Sequence, residues 1–373
     1  MAASDPPETK LRKIYERCQG LRDTSDEELG SEKEMKQANL KANSNVEDVL
    51  NHGYASTLET NYLFVGLART AGFEATIIFL APRNQDFFYP QLQDPNQVDD
   101  DIAWVKAGDK EYFLDPSVRA YPFPLLPWYE TMSSGIKVTK QGGQVVTAPN
   151  LDAADAVTER RADLRLGNDG AVTGTVKAEF RGQDAAYYRY EYRKEDEGGR
   201  KKELSQLVQS WLPGTTTFEL TKITDWENNA APLVIEGTFK VPALGMSAGH
   251  RLLVPVTIFA PTYAQEFNPT KRSNGIYFPY PSQHTDDTIY HAPDGYRIES
   301  VPPDKPAQTG SAMTYERTGA KQGNTVEIKS TFMQNGVSYG VKYYAAVRAF
   351  ISSMKSEDSA QIVFEAGNAA TGN

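Results

Sequence analysis

The stretch that decides the fold is 53-GYASTLETNYLFVGLARTAGFEATIIFLAP-82. Its spacing of apolar residues predicts a loop, then an amphipathic helix from about Leu58 to Thr70, a stop at Gly72, and a β-branched strand from about Ala75 to Leu80. A loop-helix-strand unit of this kind carries a nucleophile on the first helical turn in many enzymes. Here that turn holds Ala55, Ser56 and Thr57, and Ser56 with Glu59 matches a capping box, which assigns both residues to starting the helix.

Upstream, 5-DPPETKLRKIYERCQGLRD predicts a first helix with Asp5 as N-cap and prolines in the first turn. Leu11, Ile14, Tyr15, Cys18 and Leu21 form its apolar face, so Cys18 reads as a buried structural thiol. Residues 23 to 46 are polar and charged, as expected of a solvated loop with room for one short helix. Downstream, 102-IAWVKAGDKEYFLDP reads as two strands turning at Gly108 and Asp109, and 121-YPFPLLPWYETMSSG is too rich in proline for anything but a covering loop.

From about residue 140 the pattern becomes alternation. Strands are expected at 161-RADLRL and 172-VTGTVKAEF around the Asn168-Asp169-Gly170 turn, and at 233-LVIEGTFKV, 252-LLVPVTIF and 325-TVEIKSTF. Helices are expected at 200-RKKELSQLVQSWL and 341-VKYYAAVRAFISSM. The segment 277-YFPYPSQHTDDTIYH reads as a loop rich in Tyr and Pro that either faces a ligand or packs across a sheet. The fold class is therefore α+β. An N-terminal domain spans 1–139, and an antiparallel β-sandwich-like region with packed helices spans 140–373, with a further division near 260–300 left open.

Composition removes several classes of function. A net charge of -10 opposes binding that works by neutralising phosphates. One cysteine rules out an intrachain disulfide and a thiolate metal cluster. The four histidines, His52, His250, His284 and His291, lack the paired helical spacing of a zinc site. No apolar run approaches the roughly 18 residues that span a bilayer.

The order of helix, nucleophile-position helix, strand, hairpin ending in aspartate and proline-rich cover resembles the transglutaminase-like fold, a relative of papain-type cysteine proteases. The phrases 47-EDVLNHGY, 63-LFVGLARTAGFEA and 112-YFLDPSVRAYPFPLLPW carry the resemblance over about residues 8 to 130, and bacterial proteins with β-rich domains after such a domain extend it. The resemblance implies a cysteine at the helix start, a histidine on the first hairpin strand and an aspartate, followed by proline, at the end of the second. In such a trio the helix dipole favours the thiolate, histidine takes its proton and aspartate fixes the imidazole tautomer.

Position by position, the cysteine falls on Thr57, or on the neighbouring Ala55 or Ser56; the histidine falls on Asp101; the aspartate is kept as Asp115. Threonine needs a strong base to attack an acyl group, and Asp101 beside another carboxylate is not one. The expectation is a degenerate triad and a non-catalytic binding or scaffold module for a peptide or a cell-surface polymer, with no cofactor and no nucleic-acid partner. The alternative is an active acyl-transfer enzyme using Ser56 or Thr57, with His52 as a candidate base. A metal reading rests on convergence of Asp99, Asp100, Asp101 and Asp115. It requires a three-residue hairpin loop, Gly108 to Lys110, because a two-residue loop sets Asp101 and Asp115 on opposite faces. The resemblance implies a periplasmic or cell-surface location, with a signal and an upstream domain outside this sequence; the cytoplasm is the other possibility.

Overall fold

A computed structural model describes all residues except 1, 3, 26–39, 86, 93, 261–266, 305, 310, 311 and 368–373. Residues 26–39 of the polar stretch 23 to 46, with its expected loop and short helix, thus lie outside those the structure describes. The chain divides into two units, Met1–Leu151 and Asp152–Asn373. No helix among the described residues is long and apolar enough to cross a membrane.

The first unit runs α1 (Pro7–Gln19), β1 (Arg22–Asp23), α2 (Val46–His52), β2 (Tyr54–Ala55), α3 (Thr57–Thr70), β3 (Glu74–Leu80), β4 (Asp100–Ala107), β5 (Lys110–Leu114), β6 (Ser134–Thr139) and β7 (Gly142–Thr147). Strands β5-β4-β3-β6-β7 form one antiparallel sheet. Alternation along β4 divides its side chains between two cores: Ala103 and Val105 join Leu11, Tyr15, Leu63 and Phe64 under α1 and α3, while Ile102 and Trp104 join Leu126 and Ala148 on the other face. Leu63 and Phe64 are fully buried, each worth roughly 1.5–3 kcal/mol of transfer free energy. They make packing, not propensity alone, the reason this helix holds.

Two details depart from the sequence reading. The N-cap position of α1 is Pro6, not Asp5; the Asp5 carboxylate instead accepts from Lys13 Nζ at 2.8 Å and from Ala2 N at 2.9 Å. A boundary at residue 139 would cut the β6–β7 hairpin. The observed division follows Leu151, because β6 pairs with β3 and the hairpin completes the first sheet. The β4–β5 loop has two residues, Gly108 and Asp109, with Ala107 paired to Lys110 and Gly108 at φ +64°.

The second unit contains β8 (Ala156–Leu166), β9 (Val172–Gly182), α4 (Gln183–Glu191), α5 (Glu197–Trp211), β10 (Thr217–Thr224), β11 (Leu233–Val241), β12 (Met246–Ala248), β13 (Arg251–Pro255), β14 (Ile276–Tyr277), β15 (Ser282–His291), β16 (Tyr296–Ser300), β17 (Ala307–Thr309), β18 (Met313–Gln322), β19 (Thr325–Gln334), β20 (Ser338–Tyr339), α6 (Tyr344–Asp358) and β21 (Gln361–Ala366). An eight-stranded sheet, β10-β11-β9-β8-β15-β19-β18-β17, and a four-stranded sheet, β12-β13-β21-β16, share one core with Leu204 and Val208 of α5. Helix α6 packs Tyr344, Val347, Phe350, Ile351 and Met354 against Tyr315 and Phe332 at the other end of the large sheet.

The Asn168-Asp169-Gly170 turn joins β8 to β9 as expected, with Gly170 at φ +81°. Residues 282–291, expected within a loop, form strand β15 at the centre of the sheet. This strand pairs antiparallel with β19 and parallel with β8. The large sheet is therefore not purely antiparallel, and β15 joins strands from before residue 260 and after residue 300 in one sheet. The α+β class stands, with six α-helices among the described residues.

Candidate active site

The helix that would present a nucleophile begins as its sequence dictates. Ser56 Oγ accepts from Glu59 N at 3.3 Å, and Glu59 Oε2 accepts from Ser56 N at 2.8 Å, closing the capping box. Thr57 N donates to Ser25 Oγ at 2.9 Å. The backbone donor nearest the nucleophile position is thus already engaged. The Thr57 side chain is exposed, and among the described residues it makes no hydrogen bond to Asp101 or Asp115.

His52 closes α2, with Gly53 as a left-handed cap at φ +76°. Its Nδ1 lies 2.7 Å from Asn43 Oδ1 and its ring stacks on Tyr54 at 5.3 Å. Among the described residues no hydrogen bond connects His52 to Ser56 or Thr57.

Asp101 and Asp115 do come together, and the residue that joins them is Asn61, one helical turn beyond Thr57. Asn61 is fully buried, and its Nδ2 donates to Asp101 O (2.8 Å), Asp101 Oδ2 (3.1 Å) and Asp115 Oδ1 (3.0 Å). The two-residue hairpin loop should have set the carboxylates on opposite faces. They meet because Asp115 stands one residue past the last ladder pair, Ala103 with Leu114. There it forms an Asx-type turn, with Oδ1 accepting from Ser117 N at 2.9 Å and Ser117 Oγ at 2.6 Å. Alternation no longer governs a side chain that has left the strand. Tyr15 OH of α1 donates to the Asp115 and Tyr121 carbonyls, tying the first helix to the same point.

Glu130, from the proline-rich cover, completes the group. It is fully buried, and no N–H donor reaches either of its oxygens among the described residues. Burial, then the charge of Asp115, holds it well above the usual carboxylate range and favours its protonated form. Burial likewise raises Asp115. Burial, followed by the charge of Asp115, pushes Asp100 up to about 7. Burial pushes Asp101 up to about 6, against the opposing bond from Asn61.

The chemistry open to this cluster is limited. It has carboxyl groups, one amide and one hydroxyl, but no thiol, no imidazole and little access for a substrate, since Asp115 is 2 % exposed. Among the described residues no set of three or more His, Cys, Asp or Glu has the geometry to hold a metal ion, which leaves the Asp99, Asp100, Asp101 and Asp115 reading without support. Sequence reasoning missed Asn61 and Glu130. The signal for Asn61 was present: it lies on the same helical stripe as Phe64 and Ala68. None marked Glu130, because an irregular cover has no periodicity to show which side chain turns inward.

With this geometry in place, three comparisons bear on the chain. Residues 250–364 match a family described as a domain of unknown function with a solved structure, DUF3858. No curated protein matches the chain. Among solved structures the chain is similar to a "putative protease" from Parabacteroides distasonis, with 11% sequence identity and a TM-score of 0.50. The match covers 97% of this chain and 52% of that one, so the chain spans about half the length of that structure. At this identity the likeness concerns the fold.

Proposed function

We propose that residues 1–151 are a transglutaminase-like domain that has lost acyl transfer, and that the protein serves as a binding or scaffold module for a peptide or cell-envelope polymer at the periplasmic or cell-surface side. The observation that carries this reading is the closed group of Asn61, Asp101, Asp115 and Glu130 at the place where a thiol–imidazole pair would work, with Thr57 outside it. The coarse likeness to a protease fold supports the architecture. An exposed Thr57 hydroxyl with no base bonded to it among the described residues gives no route to an acyl-enzyme.

The test uses the full chain. Amine incorporation into a glutamine-bearing protein, and hydrolysis of peptide and ester substrates, are followed alongside labelling by a hydroxyl-directed fluorophosphonate. We expect no turnover and no label. A covalent adduct mapped to Ser56 or Thr57 would overturn the reading and restore the hydrolase alternative.

A further inference from the structure

The second unit carries a cavity of about 520 Å³. Its size lies within the roughly 300–1,000 Å³ of small-ligand clefts. Aromatic rings line it: Tyr187 and Tyr188 from α4, Trp211 from the end of α5, and Tyr280 from the segment leading into β15. Tyr187 and Tyr188 meet edge to face at 5.3 Å, and Tyr187 is 40% exposed, which places its ring at the mouth. Arg160 and Thr158 of β8, His284 of β15 and Asp184 at the start of α4 also line the cavity.

The charges in this cavity decide what it can hold. Arg160 is buried and bonded through two nitrogens to Asp286, at 2.6 and 2.7 Å. Its guanidinium also lies 5.3 Å from the centre of the Trp211 ring, so the cation seat over that ring is already taken. Asp184 forms no ion pair among the described residues; its oxygens accept from Thr158 Oγ1 at 2.6 Å and Tyr280 OH at 2.9 Å. An anionic ligand would meet the Asp184 carboxyl group. Burial lowers His284 and keeps its ring neutral, with Nε2 lying 3.3 Å from Ser282 Oγ.

This lining suits a ligand with an apolar face for the rings and several hydroxyls for Asp184, His284 and their neighbours. A pyranose ring has this division: a C–H face that stacks on Tyr or Trp and equatorial hydroxyls that both donate and accept. We infer that the cavity between α4, the end of α5 and the β8–β15 seam is a binding site for a neutral oligosaccharide. The inference concerns the second unit alone and stands whether or not residues 1–151 catalyse.

The test presents the full chain to an array of neutral glycans, namely glucans, mannans, galactans and chitin oligosaccharides. Calorimetry then follows with the hexasaccharide that is retained. We expect saturable binding that quenches tryptophan fluorescence, and a loss of about tenfold in affinity for each of Tyr187→Ala and Asp184→Asn. Tyr187 is half in solvent, so its variant keeps the fold, as a thermal melt will register, even if the Asp184 variant does not. Retention of no neutral glycan overturns the inference. So does binding that Tyr187→Ala leaves unchanged, or retention of peptides in place of saccharides.

Discussion

Replacing Asp101 by Asn should stabilise the protein at neutral pH and do nothing at pH 4. In the folded chain burial pushes Asp101 from 3.8 up to about 6. Below pH 4 both folded and unfolded chains carry the proton, and the folded state is not penalised. As the pH rises through 3.8 the unfolded chain releases its proton while the folded chain retains it until about 6. Stability therefore falls across that window, by roughly 3 kcal/mol when complete, against a total of roughly 5–15 kcal/mol for a domain. Asparagine keeps an oxygen to accept from Asn61 Nδ2, which now bonds Oδ2 at 3.1 Å, and it cannot ionise. Urea unfolding of wild type and Asp101→Asn at pH 4.0, 5.0, 6.0 and 8.0 measures the difference. The variant should match wild type at the acid end and exceed it by up to roughly 3 kcal/mol at pH 8. Parallel stability curves, or a variant weaker than wild type at pH 8, would refute the claim that this carboxyl is held protonated by burial.

Ser56→Ala removes the N-cap of α3 and should cost about 1 kcal/mol in urea unfolding; a loss several times larger would mean that the hydroxyl does more than accept from Glu59 N. Cys18 is 1% exposed and burial pushes its thiol up to about 12, so an aromatic disulfide reagent at pH 8 should label it only in urea; immediate labelling of the native chain would contradict its placement. Asp286→Ala strands the buried Arg160 guanidinium, whose remaining contacts to Ala260 O are 3.4 Å, and should cost roughly 3–5 kcal/mol; a loss under 1 kcal/mol in the same assay would show that water reaches the arginine.

Elements whose cause is local were legible in the sequence. The Ser56–Glu59 capping box, the Asn168-Asp169-Gly170 turn and the apolar face of α1 depend on residues within a few positions of each other, and each forms as read. The meeting of Asp101 with Asp115 was expected from a resemblance, yet the loop length argued against it; a turn just past the strand end decided it. Such a turn shows only as Asp-Pro-Ser in the sequence, one local preference among several. Strand β15 was hidden for a different reason. Its segment, 282-SQHTDDTIYH, is polar enough to read as loop because its neighbours supply partners: Asp286 bonds Arg160 from β8, and Ser282 and Thr288 are buried within the same sheet. Partners separated by more than a hundred residues leave no trace in a local pattern.

The parallel pairing of β15 with β8 also bears on how the chain can be cut. The stretch matched by the family of unknown function, 250–364, holds β15 but not β8. Expressed alone, that stretch would leave Ser282–His291 with one bare edge, its N–H and C=O groups open to any extended chain in solution. It would also lack Leu164, Val176 and Ile235, which share the core with its own Val254 and Phe364. The region that sequence comparison recognises as a module is about half of a folding unit. The shortest fragment expected to keep that edge paired starts near residue 152.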